Sequence, residues 1–220
     1  MLFAGEVLLF VSVTIVVVAV LALGNDYELG TVRAILSQGV ERHQFLLSKI
    51  IATVSAALVN GCAYMAGGLL SVFLAHVAFG SVQLLEAASH DLLWRALGVV
   101  LVIGLTGFVS SGIVMLALVL GRSSWVGMLA GLGSFLGDFY VGGLRMTHTD
   151  VYRYTISYHA LSMLERCFAS DPHLHSPRAW LSQDRLAEPG RAVAVLLFYG
   201  CAFTLAAILL FRRQDLTAKA

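Results

Sequence analysis

From Ile50 to Leu85 the chain carries no Asp, Glu, Lys or Arg. A helix needs about 20 mostly apolar residues to cross the hydrocarbon core of a bilayer, so this run is too long for one crossing. It reads as a span over about 50–75 followed by a surface segment. Three further uncharged runs, about 7–24, 96–121 and 192–211, have the length of single crossings. A fifth, about 124–143, is rich in glycine and contains Asp138. Composition agrees: 59% of residues are hydrophobic, 12% are charged and the mean hydropathy is +0.85, whereas a soluble domain has roughly 25% charged residues. So much aliphatic surface excludes disorder, and a net charge of +1 gives no reason to expect nucleic acid as a partner. The expected fold is a single all-α domain, 1–220, a polytopic transmembrane helix bundle of about five spans.

The first run has small residues, Ala22 and Gly24, where a signal peptide would be cut, but its only preceding charge is Glu6, and a signal peptide begins with basic residues. We therefore read it as a retained span. The connecting segments then fall into two sets. Residues 25–49, the turn at Arg122 and the tail from Arg212 hold seven basic residues and four acids. The other set, from Arg95 and the long segment 144–189, has a slight acidic excess. The positive-inside bias places the first set in the cytoplasm and puts the C-terminus there too, in a multi-pass protein of the cell membrane. An odd number of spans leaves the N-terminus outside. Cys62, Cys167 and Cys201 form no even set for a disulfide framework and read as small hydrophobes.

Residues 25–49 hold the most informative pattern. Leu29, Val32, Ile35 and Leu36 recur at helical spacing, with Asp26, Glu28 and Arg33 elsewhere on the wheel. That is an amphipathic helix lying along a surface. Gly39 would break it, and a second helix from near Glu41 would run through Phe45, Leu46 and Leu47 into the next span, with Lys49 near the interface. On composition alone, such a segment can be a simple interfacial connector.

The order Asp26, Tyr27, Glu28, Gly30, Thr31, then Leu36, Ser37, Val40, Arg42 and Lys49 resembles the segment after the second span of type-2 ABC transporter permeases. The family has Glu where this chain has Asp26, Pro where it has Gly39 and a small polar residue where it has Glu41. The layout is similar as well: those permeases have six helices, an external helical element before the last span and a short basic end. Here residues 144–189 and the run Phe211-Arg212-Arg213-Gln214-Asp215 correspond, while the family's first span has no counterpart in this reading. The resemblance implies one half of a dimeric export pathway, homo- or heterodimeric. It also implies that Asp26, Tyr27, Glu28, Gly30, Thr31, Arg33, Leu36, Val40, Arg42 and Lys49 contact a separate ATP-binding cassette subunit, which holds ATP and Mg. Groove docking of an amphipathic helix is a physical fit for that role. The chain has no P-loop of its own, because Lys49 and Lys219 follow Ser48 and Ala218 rather than Gly.

Other features have two readings each. Asp138 is a candidate intramembrane polar site, serving proton or ion coupling in a secondary transporter or channel, or it lies near the outer end and reaches headgroups or water. Gly127/Gly131 and Gly133/Gly137 are small-x-x-x-small pairs that permit close helix packing. His148, His159, His173 and His175, with Asp171, read as solvated loop histidines rather than a metal site. Tyr158, Leu161, Leu164, Cys167 and Phe168 predict a short amphipathic helix at the outer surface. No H-E-x-x-H, C-x-x-C or G-x-S-x-G occurs, so no catalytic residue, metal or cofactor is expected in this chain. A non-transporting membrane scaffold is the remaining alternative.

Overall fold

The uncharged runs become long helices because a backbone in an apolar setting must bond to itself, and a helix does so within one segment. The computed structural model describes residues 12–79, 91–143, 153–168 and 187–214. Among these residues all regular structure is helical: α1 (Ser12–Glu28, with a π-helical turn at Val20–Gly24), α2 (Thr31–Ser37), α3 (Arg42–Phe79), α4 (Asp91–Gly121), α5 (Ser124–Gly143), α6 (Ile156–Phe168) and α7 (Pro189–Arg213).

Three of these helices are long and apolar enough to cross a membrane, over Arg42–Gly67, Trp94–Gly121 and Pro189–Arg213. A fourth crossing results if α1 and α2, bent by 80° at their junction, count as one broken span. The fifth expected crossing, α5, which holds six glycines and Asp138, is not among these candidate spans. Where a surface segment was expected after residue 75, α3 continues unbroken to Phe79, 38 residues in all, and residues 80–90 lie outside the described residues.

α4 is the axis of the bundle. Near its start, Val99, Val102, Ile103 and Leu105 pack with Tyr158, Met163 and Leu164 of α6 and with Ala192 and Leu196 of α7. Toward its end, Val114, Met115, Leu118 and Val119 pack with Val16, Ala19 and Leu23 of α1, Phe45, Leu46 and Ile50 of α3, and Ala207 and Phe211 of α7. The outer faces are apolar too: Val59, Leu101, Leu129, Leu136, Phe198 and Leu205 are exposed. An apolar exterior of this extent is suited to lipid rather than water. Trp94, Trp125, Tyr140 and Tyr154 are exposed near helix ends, where amphipathic rings favour the headgroup zone.

Where they are described, the two sets of connecting segments lie at opposite ends of the bundle. Arg42 and Tyr27 bond to residues at the end of α7, and Gln214 bonds to Val119, so residues 25–44, the Arg122 turn and Arg212 gather at one end. Asp138, Ile156 and Ser157 meet at the other. α4, 31 residues long, spans about 46 Å at 1.5 Å per residue between the two ends.

The expected helix over Leu29–Leu36 needs correction. Gly30 adopts φ +69°, a left-handed turn that suits a residue without Cβ, and the helix starts at Thr31. Leu29 therefore belongs to the turn and is 76% exposed. Val32 is buried, and Ile35 and Leu36 pack against the same cluster, so the apolar stripe holds from Thr31 onward. Gly39, at φ +88°, makes the break expected of it, and α3 begins at Arg42.

Candidate functional site

The segment 25–49 is built from its own charges outward. Lys49 Nζ lies 2.7 Å from Asp26 Oδ2, with both side chains largely buried. Thr31 donates to Asp26 Oδ1 at 2.9 Å, which ties the first residue of α2 to the end of α1 across the Gly30 turn. Glu28 accepts from the Ser124 backbone N–H at 3.3 Å, placing a carboxylate at the positive N-terminus of α5.

Two residues hold this segment to the end of α7. Arg42 Nη1 donates to the carbonyls of Phe211, Arg212 and Gln214 at 3.3, 3.1 and 2.6 Å. The last carbonyls of a helix have no partner within it, and a guanidinium there satisfies them and complements the negative end of the dipole. The Tyr27 hydroxyl donates to Gln214 Oε1 at 3.2 Å, and Gln214 Nε2 donates to the carbonyl of Val119 on α4. Beneath these bonds Phe211 is fully buried, stacked on Phe45 at 6.0 Å and edge-on to Tyr27 at 6.4 Å. Lys49 lies 5.3 Å from the centre of the Phe45 ring.

The sequence-selected residues thus divide. The side chains of Asp26, Tyr27, Glu28, Thr31, Arg42 and Lys49 make bonds within the chain. Arg33 also interacts within the chain but is exposed, as are Gly30 and Val40, and Leu36 is half-buried. Arg33, Leu36, Val40 and Arg42 line one open cleft of about 1110 Å³ together with Gly39, Glu41, His43, Ile208 and Arg212. Glu41 and His43 pair at 3.1 Å on its rim. Gln214, Phe211, Ile208 and Arg212 were not selected from sequence as parts of this site. They lie about 170 residues from Arg42, and no local spacing marks such a contact.

At the opposite end Asp138 is half-buried and caps α6. Its Oδ1 accepts from Ile156 N–H at 2.8 Å; its Oδ2 accepts from Ser157 N–H at 2.7 Å and from the Ser157 hydroxyl. A carboxylate at a helix N-terminus satisfies orphan donors and meets the positive end of the dipole. Next to it a mostly apolar cavity of about 30 Å³ is lined by Val16, Ile113, Val114 and Phe135 together with the hydroxyls of Ser12, Thr106, Ser110, Ser134 and Ser157.

The expected outer helix is α6, with Tyr158 and Leu164 buried. His159 is not solvated as expected of it: it is 3% exposed. It lies on the packed face of α6, edge-on to Tyr158 at 5.1 Å, and its Nδ1 has no hydrogen-bond partner. Burial holds its pKa below the ordinary imidazole value. Arg191 pushes the same way, while the Arg153 backbone and Asp138 oppose it. His148, Asp171, His173 and His175 lie outside the described residues, and among the described residues no cluster could hold a metal ion.

The chain matches no protein-family model, no curated protein and no solved structure.

Proposed function

We propose that this chain is the membrane-spanning permease subunit of a type-2 ABC exporter, one half of a dimeric pathway driven by ATP hydrolysis in a separate ATP-binding subunit. In this reading α1, α3, α4, α5 and α7 cross the cell membrane, and α2 with the loop to Arg42 is the cytoplasmic docking element. One observation carries the proposal: α2 bends 80° from α1, Thr31 bonds it to Asp26 at the end of α1, Asp26 pairs with Lys49 of α3, and Arg42 bonds the start of α3 to the end of α7. A load applied to α2 by a partner would reach two candidate spans through short, charge-assisted bonds. The residues that meet the ATPase are then the exposed ones, Arg33, Gln38, Val40, Glu41 and His43. Asp26, Tyr27, Arg42 and Lys49 act by holding the element in place.

The triple hydrogen bonding of Asp138 to α6 favours an anchoring role over proton or ion coupling. The test is co-purification of the tagged chain from detergent-solubilised membranes of its own host. A stoichiometric nucleotide-binding subunit, lost in an Arg33→Glu/Glu41→Lys variant that remains folded, is the expected result. Absence of such a subunit from the well-folded wild-type chain would overturn the proposal.

A further inference from the structure

The open cleft between α2, the start of α3 and the end of α7 combines charge and apolar surface. Arg33, Arg42 and Arg212 line it against one acid, Glu41, which is paired with His43. Arg42 is the first residue of one candidate span and Arg212 is next to last in another, so both lie where a bilayer crossing begins or ends. Basic side chains at that level sit among lipid phosphates. Leu36 and Ile208 are among the residues that line it. Further along the same two helices, Leu47 and Ile51 on α3 and Leu205 and Leu209 on α7 are exposed apolar surface.

We propose that this cleft binds the phosphodiester headgroup of an anionic phospholipid, with its acyl chains along the exposed apolar surface of α3 and α7. Basic pockets between membrane helices recognise such headgroups, and guanidinium groups bond phosphate oxygens in pairs. Arg42 meets the lipid while its Nη1 remains on the α7 carbonyls, so a bound headgroup braces α2 against both spans. The inference stands on the membrane placement of the chain; because Arg33, Val40, Glu41 and His43 line the cleft and also face the proposed ATPase, lipid retention is read on the purified chain without that partner.

The test compares lipid retention by native mass spectrometry after the purified chain is equilibrated with phosphatidylglycerol and phosphatidylcholine micelles, for wild type, Arg33→Gln/Arg212→Gln and Arg191→Gln. Arg42 is left intact because it holds α7. The wild type should prefer phosphatidylglycerol, the cleft variant should lose roughly fivefold of that preference for each arginine removed, and the variant at the far end should keep it. Equal retention of the two lipids, or an unchanged preference in a helical cleft variant, would overturn the proposal. So would inorganic phosphate displacing phosphatidylglycerol at millimolar concentration, which would assign the cleft to a soluble anion.

Discussion

Arg42 and Asp138 are charged side chains at opposite ends of the bundle, and each satisfies the open end of a helix it does not belong to. Removing such a group leaves helix-terminal donors or acceptors without partners. Arg42→Gln is expected to cost about 1–2 kcal/mol, read as a lower unfolding midpoint in detergent and faster hydrogen exchange at the end of α7. Unchanged exchange there would contradict the capping role. Asp138→Asn keeps one acceptor oxygen and should cost about 1 kcal/mol, loosening α6 first. Transport lost with normal expression and a tightly docked α6 would instead make the carboxylate a coupling group.

His159 adds a pH dependence whose sign follows from its lowered pKa. The unfolded imidazole binds a proton more readily than the buried one, so stability rises with pH over that interval. The contribution is fully present above the ordinary value of 6.5 and is lost as pH falls toward the lower value of the folded state. Protease sensitivity of the α6 region should therefore rise on acidification below about pH 6.5, and rise less in His159→Gln. Identical pH profiles for the two proteins would exclude the effect. Neither the burial of His159 nor the partners of Asp138 were legible in sequence, since both depend on where α6 docks.

At the scale of elements, legibility followed how local the cause was. Gly39 was readable because a glycine after an apolar-periodic run is a helix stop, and the backbone there is left-handed. Gly30 was hidden because Leu29, Val32, Ile35 and Leu36 keep helical spacing across it, although the helix starts only at Thr31. The bonds of Arg42 and Tyr27 to residues 211–214 join opposite ends of the sequence, which no spacing encodes. The two glycine pairs of α5 read alike in sequence and differ in place. A Cβ on Gly131 would lie 2.8 Å from Val16 and Val114 methyl groups, while at Gly133 nothing lies within 4 Å. Gly131→Leu should destabilise the bundle by about 2 kcal/mol, and Gly133→Leu by less than about 0.5 kcal/mol. Equal melting temperatures of the two variants would refute the assigned packing of α5 against α1 and α4.

For the whole molecule, the uncharged runs and the two classes of connecting segment were enough to anticipate a helical bundle with a basic end. The number of crossings was less legible: among the described residues three helices are long and apolar enough to cross, four if the bent pair counts as one, and α5 is not among them. The two ends differ in build. One carries a bent helix pair, an arginine-lined cleft and the C-terminal end of α7; the other carries α6 anchored by Asp138. An exporter subunit needs such a difference, since force enters at one face and substrate leaves at the other.

The most direct test places a photo-crosslinking amino acid at Gln38, between α2 and α3, and separately at Tyr154, beside α6, in membranes of the chain's own host. The account predicts that Gln38 captures a nucleotide-binding subunit and that Tyr154 does not. Capture from neither position, or from Tyr154 alone, with the protein folded and inserted, would contradict it.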